Sequence, residues 1–189
     1  MIIALGHRQG VGKNVFAQML ANRFKTQGKE VRIAAFADAL YAVAHMLYGW
    51  AGFATKDFYE KHRELKEVIL PALGMSPRTL LIRLGTEAIR KKVYDQTWVK
   101  LLLHSTVDDE ILIITDLRFP NEFEAVKRTG GKTIRLDRPS IPISKDVADT
   151  ALAHMTEEAW DFIVTNVGTL EDLGEQAENI IFKTQSECS

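Results

Sequence analysis

The chain is short of several things, and each shortage closes a class of function. It holds one cysteine, Cys188, in a polar tail, so an intrachain disulfide and a thiolate metal cluster are both ruled out. A reducing, cytoplasmic setting fits. Its net charge is -1 and its pI near 6.5, so no broad positive field draws it to a polynucleotide or an anionic membrane. No apolar run approaches the roughly 20 residues of a membrane span, and the apolar start at residues 1–5 is too short for a signal-peptide core. The histidines, His7, His45, His62, His104 and His154, show no HExxH or related spacing, which leaves a catalytic zinc without support. No nucleophile elbow appears either.

What the sequence does have is concentrated at its start. The apolar residues 1–5 run directly into GHRQGVGKN, residues 6–14, and then into an amphipathic segment. Strand, glycine loop and helix in that order hold polyphosphates. The glycines let successive backbone N–H groups converge, the helix offers its positive end, and Lys13 reaches the phosphate oxygens. Against the pattern GxxxxGK[ST], His7 stands where the first glycine belongs and Asn14 replaces the hydroxyl residue that ligates Mg2+. A plain strand-to-helix turn would need none of this context. Gly10, Val11, Gly12, Lys13, Asn14 and Val15 therefore form the expected ATP-binding set.

With 189 residues, 46% hydrophobic and 26% charged, the chain can bury one full core, and a single domain over residues 1–189 is expected. Val15, Phe16, Met19, Leu20 and Phe24 recur at helical spacing up to Gly28. Residues 30–37 read as a second strand, followed by Asp38 as a helix cap. Charge-rich short helices fill residues 50–75, and a second helical stretch over 76–104 breaks near Tyr94 and Asp95. Residues 110–115 form a near-continuous apolar run ending at Asp116, the pattern of a central strand covered on both faces. Pro120 suits a helix start, and residues 132–137 and 162–165 read as further strands, with a loop over 138–149 between them. Thr169 and Asp172 give a capping-box signal for the last helix. Strands alternating with helices make an α/β fold with a parallel sheet.

In such a sheet, ligands lie beyond the carboxyl ends of the strands. That rule selects the glycine loop, Asp38, and the pair Asp116 and Arg118. Asp116 is placed to hold Mg2+ through water and Arg118 to clamp a phosphate, although a helix-capping Asp116 paired with Arg118 is the competing reading. Arg83, Glu87 and Arg90 at i, i+4 and i+7 form one row on an α-helix, by itself a solvated salt-bridge row. Trp50, Trp98 and Trp160 read first as core residues.

Taken together, these segments resemble the bacteriophage deoxynucleoside monophosphate kinases, a branch of the P-loop kinases. The blocks are GVGKN, AFADAL (35–40), SPRTLLIRLGTEAIR with YDQTWVK (76–100), TDLRFPNEFEAVKRTGGKTIRLDRP (115–139), HMTE (154–157) and VTNVGTLEDL (164–173). The resemblance spans nearly the whole chain and departs from the family at His7, Asn14, Val15 and Tyr41. It implies a three-layer nucleoside-monophosphate-kinase-like fold with a mainly parallel five-stranded sheet, a helical monophosphate-binding region at about 50–105 and a lid at about 138–152. It also implies transfer of the ATP γ-phosphoryl group to a deoxynucleoside 5′-monophosphate, with ATP and Mg2+ required. Lys13, Arg118 and Arg90 would be catalytic, Asp38, Arg78, Arg90, Trp98 and Arg118 would bind the acceptor, and Asn14 and Asp116 would serve the metal. The acceptor phosphate is already anionic, so no general base is needed. The implied partners are small nucleotides, with no polynucleotide or membrane and a possible homodimer, in the cytoplasm of a host cell if the gene is a phage's. A dephospho-coenzyme A kinase-like enzyme and a non-catalytic nucleotide-binding module remain as alternatives.

Overall fold

The structure is a computed structural model that describes residues 1–142 and 147–186. Part of the expected lid, residues 143–146, and Cys188 lie outside the described residues. The chain divides into two compact units, Met1–Ala35 with Thr106–Ser189, and Phe36–Ser105.

In the first unit, β1 (Ile2–Gly6) leads through the glycine loop into α1 (Lys13–Thr26) and β2 (Val31–Ala34). In the second follow α2 (Ala37–Tyr48), α3 (Lys56–Lys61), α4 (Pro77–Leu81), a π-helical stretch Ile82–Val93 and α5 (Thr97–His104). The chain then returns to the first unit with β3 (Ile111–Leu117), α6 (Pro120–Arg128), β4 (Lys132–Asp137), α7 (Val147–Thr150), β5 (Phe162–Thr165) and α8 (Leu170–Ser186).

The five strands stand in the order β2-β3-β1-β4-β5, and every neighbouring pair is parallel. β1 lies at the centre, with Ile3 opposite Ile113 on one side and Lys132 on the other. Alternation along the strands divides their side chains between two faces. On one face Ile3, Leu5, Ile113, Ile134 and Leu136 pack with Phe16, Leu20 and Phe24 of α1 and with Leu173, Ala177 and Ile181 of α8. On the other lie Ala4, Leu112 and Ile114, and there α6 packs along β1 and β4. Phe123 of α6 meets Trp160 edge-on at 5.0 Å. This is a three-layer α/β fold. Residues 111–114 are all buried, which is why their sequence reads as an unbroken apolar run instead of an alternation. Fully burying Phe16 or Phe24 contributes about 1.5–3 kcal/mol each.

The second unit has its own core of Tyr41, Ala44, Phe53, Tyr59 and Leu80. Phe53 and Tyr59 stack edge-on at 5.3 Å, and the Tyr59 hydroxyl accepts from the Ala54 amide at 3.1 Å. Ser76 caps α4 by accepting from the Thr79 amide, with Pro77 in the first turn.

Four expectations change. Trp50, expected in the core with Trp98 and Trp160, is 75% exposed, and its indole N–H donates to the Leu47 carbonyl at the end of α2. Asp38 is not a cap: α2 begins after Phe36 with no side-chain cap bond, and Asp38 sits inside its first turn, ion-paired with Lys56. β3 continues to Leu117, which pairs with Gly6, so Asp116 lies within the strand and not beyond it. The segment carrying Arg83, Glu87 and Arg90 winds as a π-helix, whose i→i+5 turns are wider than an α-helix's, so the i, i+4, i+7 row does not form. At the last helix the expectation holds: Asp172 accepts from the Thr169 amide at 2.7 Å, while the Asp172 amide donates back to the Thr169 hydroxyl.

Gly6 ends β1 where a Cβ would lie 2.6 Å from the Trp160 ring and 3.2 Å from the Leu117 carbonyl oxygen. Gly174, inside α8, has nothing within 4 Å of the same position. Gly6→Ala should therefore lower stability by about 1–3 kcal/mol through overpacking. Gly174→Ala should raise it by about 0.5–1 kcal/mol through helix propensity. Urea unfolding of the two variants checks both signs.

Candidate functional site: the glycine loop and its anchors

The loop between β1 and α1 enters the left-handed region of backbone space at His7 (φ 81°), Gly10 (φ 82°) and Gly12 (φ 104°). Glycine accepts that conformation readily, but a residue with a Cβ is strained there by roughly 1–2 kcal/mol. His7 has a compensating contact. Its Nδ1 lies 2.7 Å from Asp137 Oδ1 at the carboxyl end of β4, and Asp137 also makes a 2.9 Å ion pair with Arg135 Nε, close but not aligned as a hydrogen bond. Burial lowers the His7 pKa below its ordinary 6.5, against the opposing pull of Asp137. At neutral pH the ring is thus neutral, and against an acceptor-only carboxylate its Nδ1 carries the proton.

Asn166, just past β5, fixes the other end of the loop. Its side-chain amide donates to the Val11 carbonyl at 2.9 Å, and it lies so near Gly12 that a Cβ there would come within 2.6 Å. Gly12 is therefore required both for its φ and for the approach of Asn166.

Lys13 opens α1 and is only 7% exposed. Its ammonium donates to the carbonyls of His7 and Arg8, inside its own loop. Burial first, and the Arg118 guanidinium second, lower its pKa to about 8, against the pull of Asp149 and Asp116. Arg118 follows β3 and is oriented through its backbone: the carboxylate of Glu122, 1% exposed, accepts from the Arg118 amide at 2.8 Å and the Phe119 amide at 3.1 Å. One end of the Arg118 guanidinium lies 3.6 Å from Asp149 Oδ1, and the same oxygen accepts from the Gln9 amide at 3.1 Å.

Several groups here fit an anionic ligand. The first turn of α1 has neither a side-chain cap nor an acidic residue, so its amides present positive charge without an internal counter-charge. Arg8 Nε is buried without a hydrogen-bond acceptor, and Lys13 has only backbone carbonyls as hydrogen-bond partners. For a divalent cation the fit is of a different kind. No group of three or more acidic, histidine or cysteine side chains placed to hold a metal ion occurs among the described residues. Mg2+ commonly takes one or two protein oxygens and completes its shell with phosphate and water, which Asn14 and Asp116 are chemically suited to supply.

The structure thus brings Lys13, Asp116 and Arg118 to one edge of the first unit. Asp38, Arg78, Arg90 and Trp98 belong to the second. There Arg78 pairs with Glu67, and Trp98, 4% exposed, donates its indole N–H to the Gly85 carbonyl at 3.2 Å. Sequence reasoning missed Asp137, Asn166, Asp149 and Glu122. Asp137 and Asn166 were within reach, because both fall at carboxyl ends of strands, where the ligand-site rule already pointed. Asp149 and Glu122 carried no signal of their own.

A parallel sheet bearing a glycine loop, with a lysine at the start of the following helix, defines the P-loop class of nucleotide-handling α/β proteins. A profile of the deoxynucleotide monophosphate kinase family matches residues 31–177, and the chain belongs to that family. The match starts after the glycine loop, so loop and family are separate observations. The chain is 41% identical over 68 residues to the deoxynucleoside-5′-monophosphate kinase of Escherichia phage T5, a stretch covering 35% of this chain and 27% of that protein. It is 24% identical over 190 aligned residues, 93% of each chain, to a protein of Acanthamoeba polyphaga mimivirus provisionally named a deoxynucleotide monophosphate kinase. Among solved structures it is similar to shikimate kinase from Acinetobacter baumannii (15% identity, 97% and 93% of the two chains, TM-score 0.46). It is also similar to dephospho-CoA kinase from Campylobacter jejuni (12% identity, 100% and 98%, TM-score 0.47). No helix among the described residues is long and apolar enough to cross a membrane.

The depressed pKa of Lys13 has a thermodynamic signature. Between pH 8 and the ordinary 10.5, the unfolded chain binds a proton that the folded chain has lost, so stability at this position rises with pH across that window. Relative to Lys13→Met, the wild type should gain on the order of 3 kcal/mol between those limits. Denaturant unfolding of both proteins at several pH values tests this, and a stability difference that stays flat would refute the burial assignment.

Proposed function

We propose that the protein transfers the γ-phosphoryl group of ATP to a deoxynucleoside 5′-monophosphate, releasing ADP and the diphosphate. The observation that carries this reading is the coincidence, in one chain, of the family's 31–177 segment with a buried lysine held in a three-anchor glycine loop.

The chemistry asked of the residues is electrostatic. An oxygen of the acceptor phosphate attacks the γ-phosphorus in line, the bond to the bridging oxygen breaks, and the electron pair leaves on ADP. No proton need be removed from the nucleophile, so neither Asp38 nor Asp116 is assigned as a base. The loop amides and Lys13 bind the donor phosphates, while Arg118 and Arg90 neutralise charge that spreads over the moving group. Lys13, with its pKa near 8, remains predominantly charged at neutral pH, and an arriving phosphate strengthens that charge. Asn14 and Asp116 are the residues that would hold Mg2+, which, when bound, neutralises negative charge on the donor phosphates. Asp38, Arg78 and Arg90 of the helical unit serve the acceptor.

Phosphoryl transfer from ATP and Mg2+ to each common deoxynucleoside and ribonucleoside monophosphate, with dephospho-coenzyme A as a control acceptor, tests the reading. ADP formation should require a deoxynucleoside monophosphate. Lys13→Ala should lower turnover by about 10² or more and Arg118→Ala by about tenfold or more. Transfer only to dephospho-coenzyme A would assign the acceptor differently, and ATP binding without transfer to any acceptor would make the chain a binding module.

A further inference from the structure

Asp149 is an acid in an unusual place. It lies in the four-residue α7, yet it is only 5% exposed. One of its carboxylate oxygens, Oδ1, takes the Gln9 amide of the glycine loop at 3.1 Å and faces the Arg118 guanidinium at 3.6 Å. Its charge also acts favourably on the Lys13 ammonium. A single anionic oxygen is therefore served by a loop amide and a guanidinium, beside a buried ammonium. Those are the donor types that bind a phosphate oxygen, and the Gln9 amide, with its one N–H, cannot serve two anions at once.

The surrounding charges sharpen the point. Facing Lys13 are Arg118, Asp149 and Asp116, and the loop itself adds His7, neutral at neutral pH, and Arg8. A polyphosphate entering the loop brings more negative charge to this corner, where Asp149 would sit against it without the Gln9 amide. Burying two like charges together is unfavourable, so one of them must leave. α7 is a single short turn, and moving it disrupts none of the sheet's ladders.

We propose that Asp149 is an internal stand-in for a phosphate oxygen: its carboxylate holds the Gln9 amide and the Arg118 guanidinium, and a donor polyphosphate binds by taking its place. This rests on the reading of the loop as an ATP site. It assigns the Gln9 amide and Arg118 to one phosphate subsite, and it makes ATP affinity the outcome of an exchange between anions. A purely structural ion pair behaves in the opposite way, since losing it would loosen Arg118 and weaken binding.

The test is titration calorimetry of the full chain and of Asp149→Asn with MgATP and with inorganic tripolyphosphate. The asparagine variant keeps an acceptor for the Gln9 amide and removes the competing charge. Both ligands should bind it at least about tenfold tighter, because the subsite reads phosphate and not the base. Equal or weaker binding by the variant overturns the proposal. Amide hydrogen exchange of the wild type gives a second readout that does not depend on the variant folding. With ATP bound, residues 147–150 should exchange faster, and unchanged or slower exchange there also overturns the proposal. Failure of the wild type and variant alike to bind either ligand would instead remove the loop assignment on which the inference stands.

Discussion

The constraint on which the site depends is the left-handed backbone at the start of the glycine loop. His7, Gly10 and Gly12 all require positive φ, and only two of the three are glycine. The strain at His7 is tolerated because Asp137 holds its ring from the end of β4. Asn166 at the end of β5 grips the Val11 carbonyl, and Asp149 grips the Gln9 amide. Strand order explains how this is possible. β1 stands beside β4, and β4 beside β5, so their carboxyl ends form a row under which the loop lies. The parallel arrangement is thus more than a scaffold for a core; it delivers Asp137 and Asn166 to the loop, and α7 adds Asp149.

Lys13 shows the energetic side of the same arrangement. Its side chain is desolvated by the packing that shapes the loop, and its ammonium is left with backbone carbonyls. A buried ammonium without a fully paired carboxylate is poised for an anionic ligand, because the ligand supplies the interaction that burial took away. On the proposed reading, the stability sacrificed by burying the charge is returned when a phosphate binds. Glu122 works on Arg118 at one remove: by tying two successive amides it fixes the turn after β3, and the guanidinium is aimed from that turn.

Much of the fold was legible because its elements obey simple periodicities. The four buried residues 111–114 declare a central strand, and strands 132–137 and 162–165 fall where turn residues bound them. The glycine loop was legible from Gly10, Gly12 and Lys13 together with the apolar run before them and the amphipathic segment after. The misread elements share a cause, which is local sequence overruled by what it packs against. Asp38 has the chemistry of a cap, but Lys56 draws it into an ion pair within the first turn. Residues 82–93 carry an α-like charge spacing and nonetheless wind wider, and there Gly85 brings its backbone close to Leu40 and to the Trp98 indole. Asp149 was invisible because nothing in an acidic residue's neighbours says that it will be buried against an amide 140 positions away, whereas Glu122 binds amides only three and four residues back, in the turn it closes.

His7 and Asp137 are separated by 130 positions, and Asn166 and Val11 by 155. A loop built from glycine alone can find its shape from its own segment, whereas this one is specified by residues that reach it only after β4 and β5 have joined the sheet. Its geometry therefore depends on contacts between residues 130 and 155 positions apart, whose closure entropy must be met before the loop is held. Residues 6–14 moved alone into another α/β scaffold would carry the loop's sequence without the contacts that shape it here. On the proposed reading, the recognition element is a property of the whole carboxyl edge of the sheet, spread across the chain.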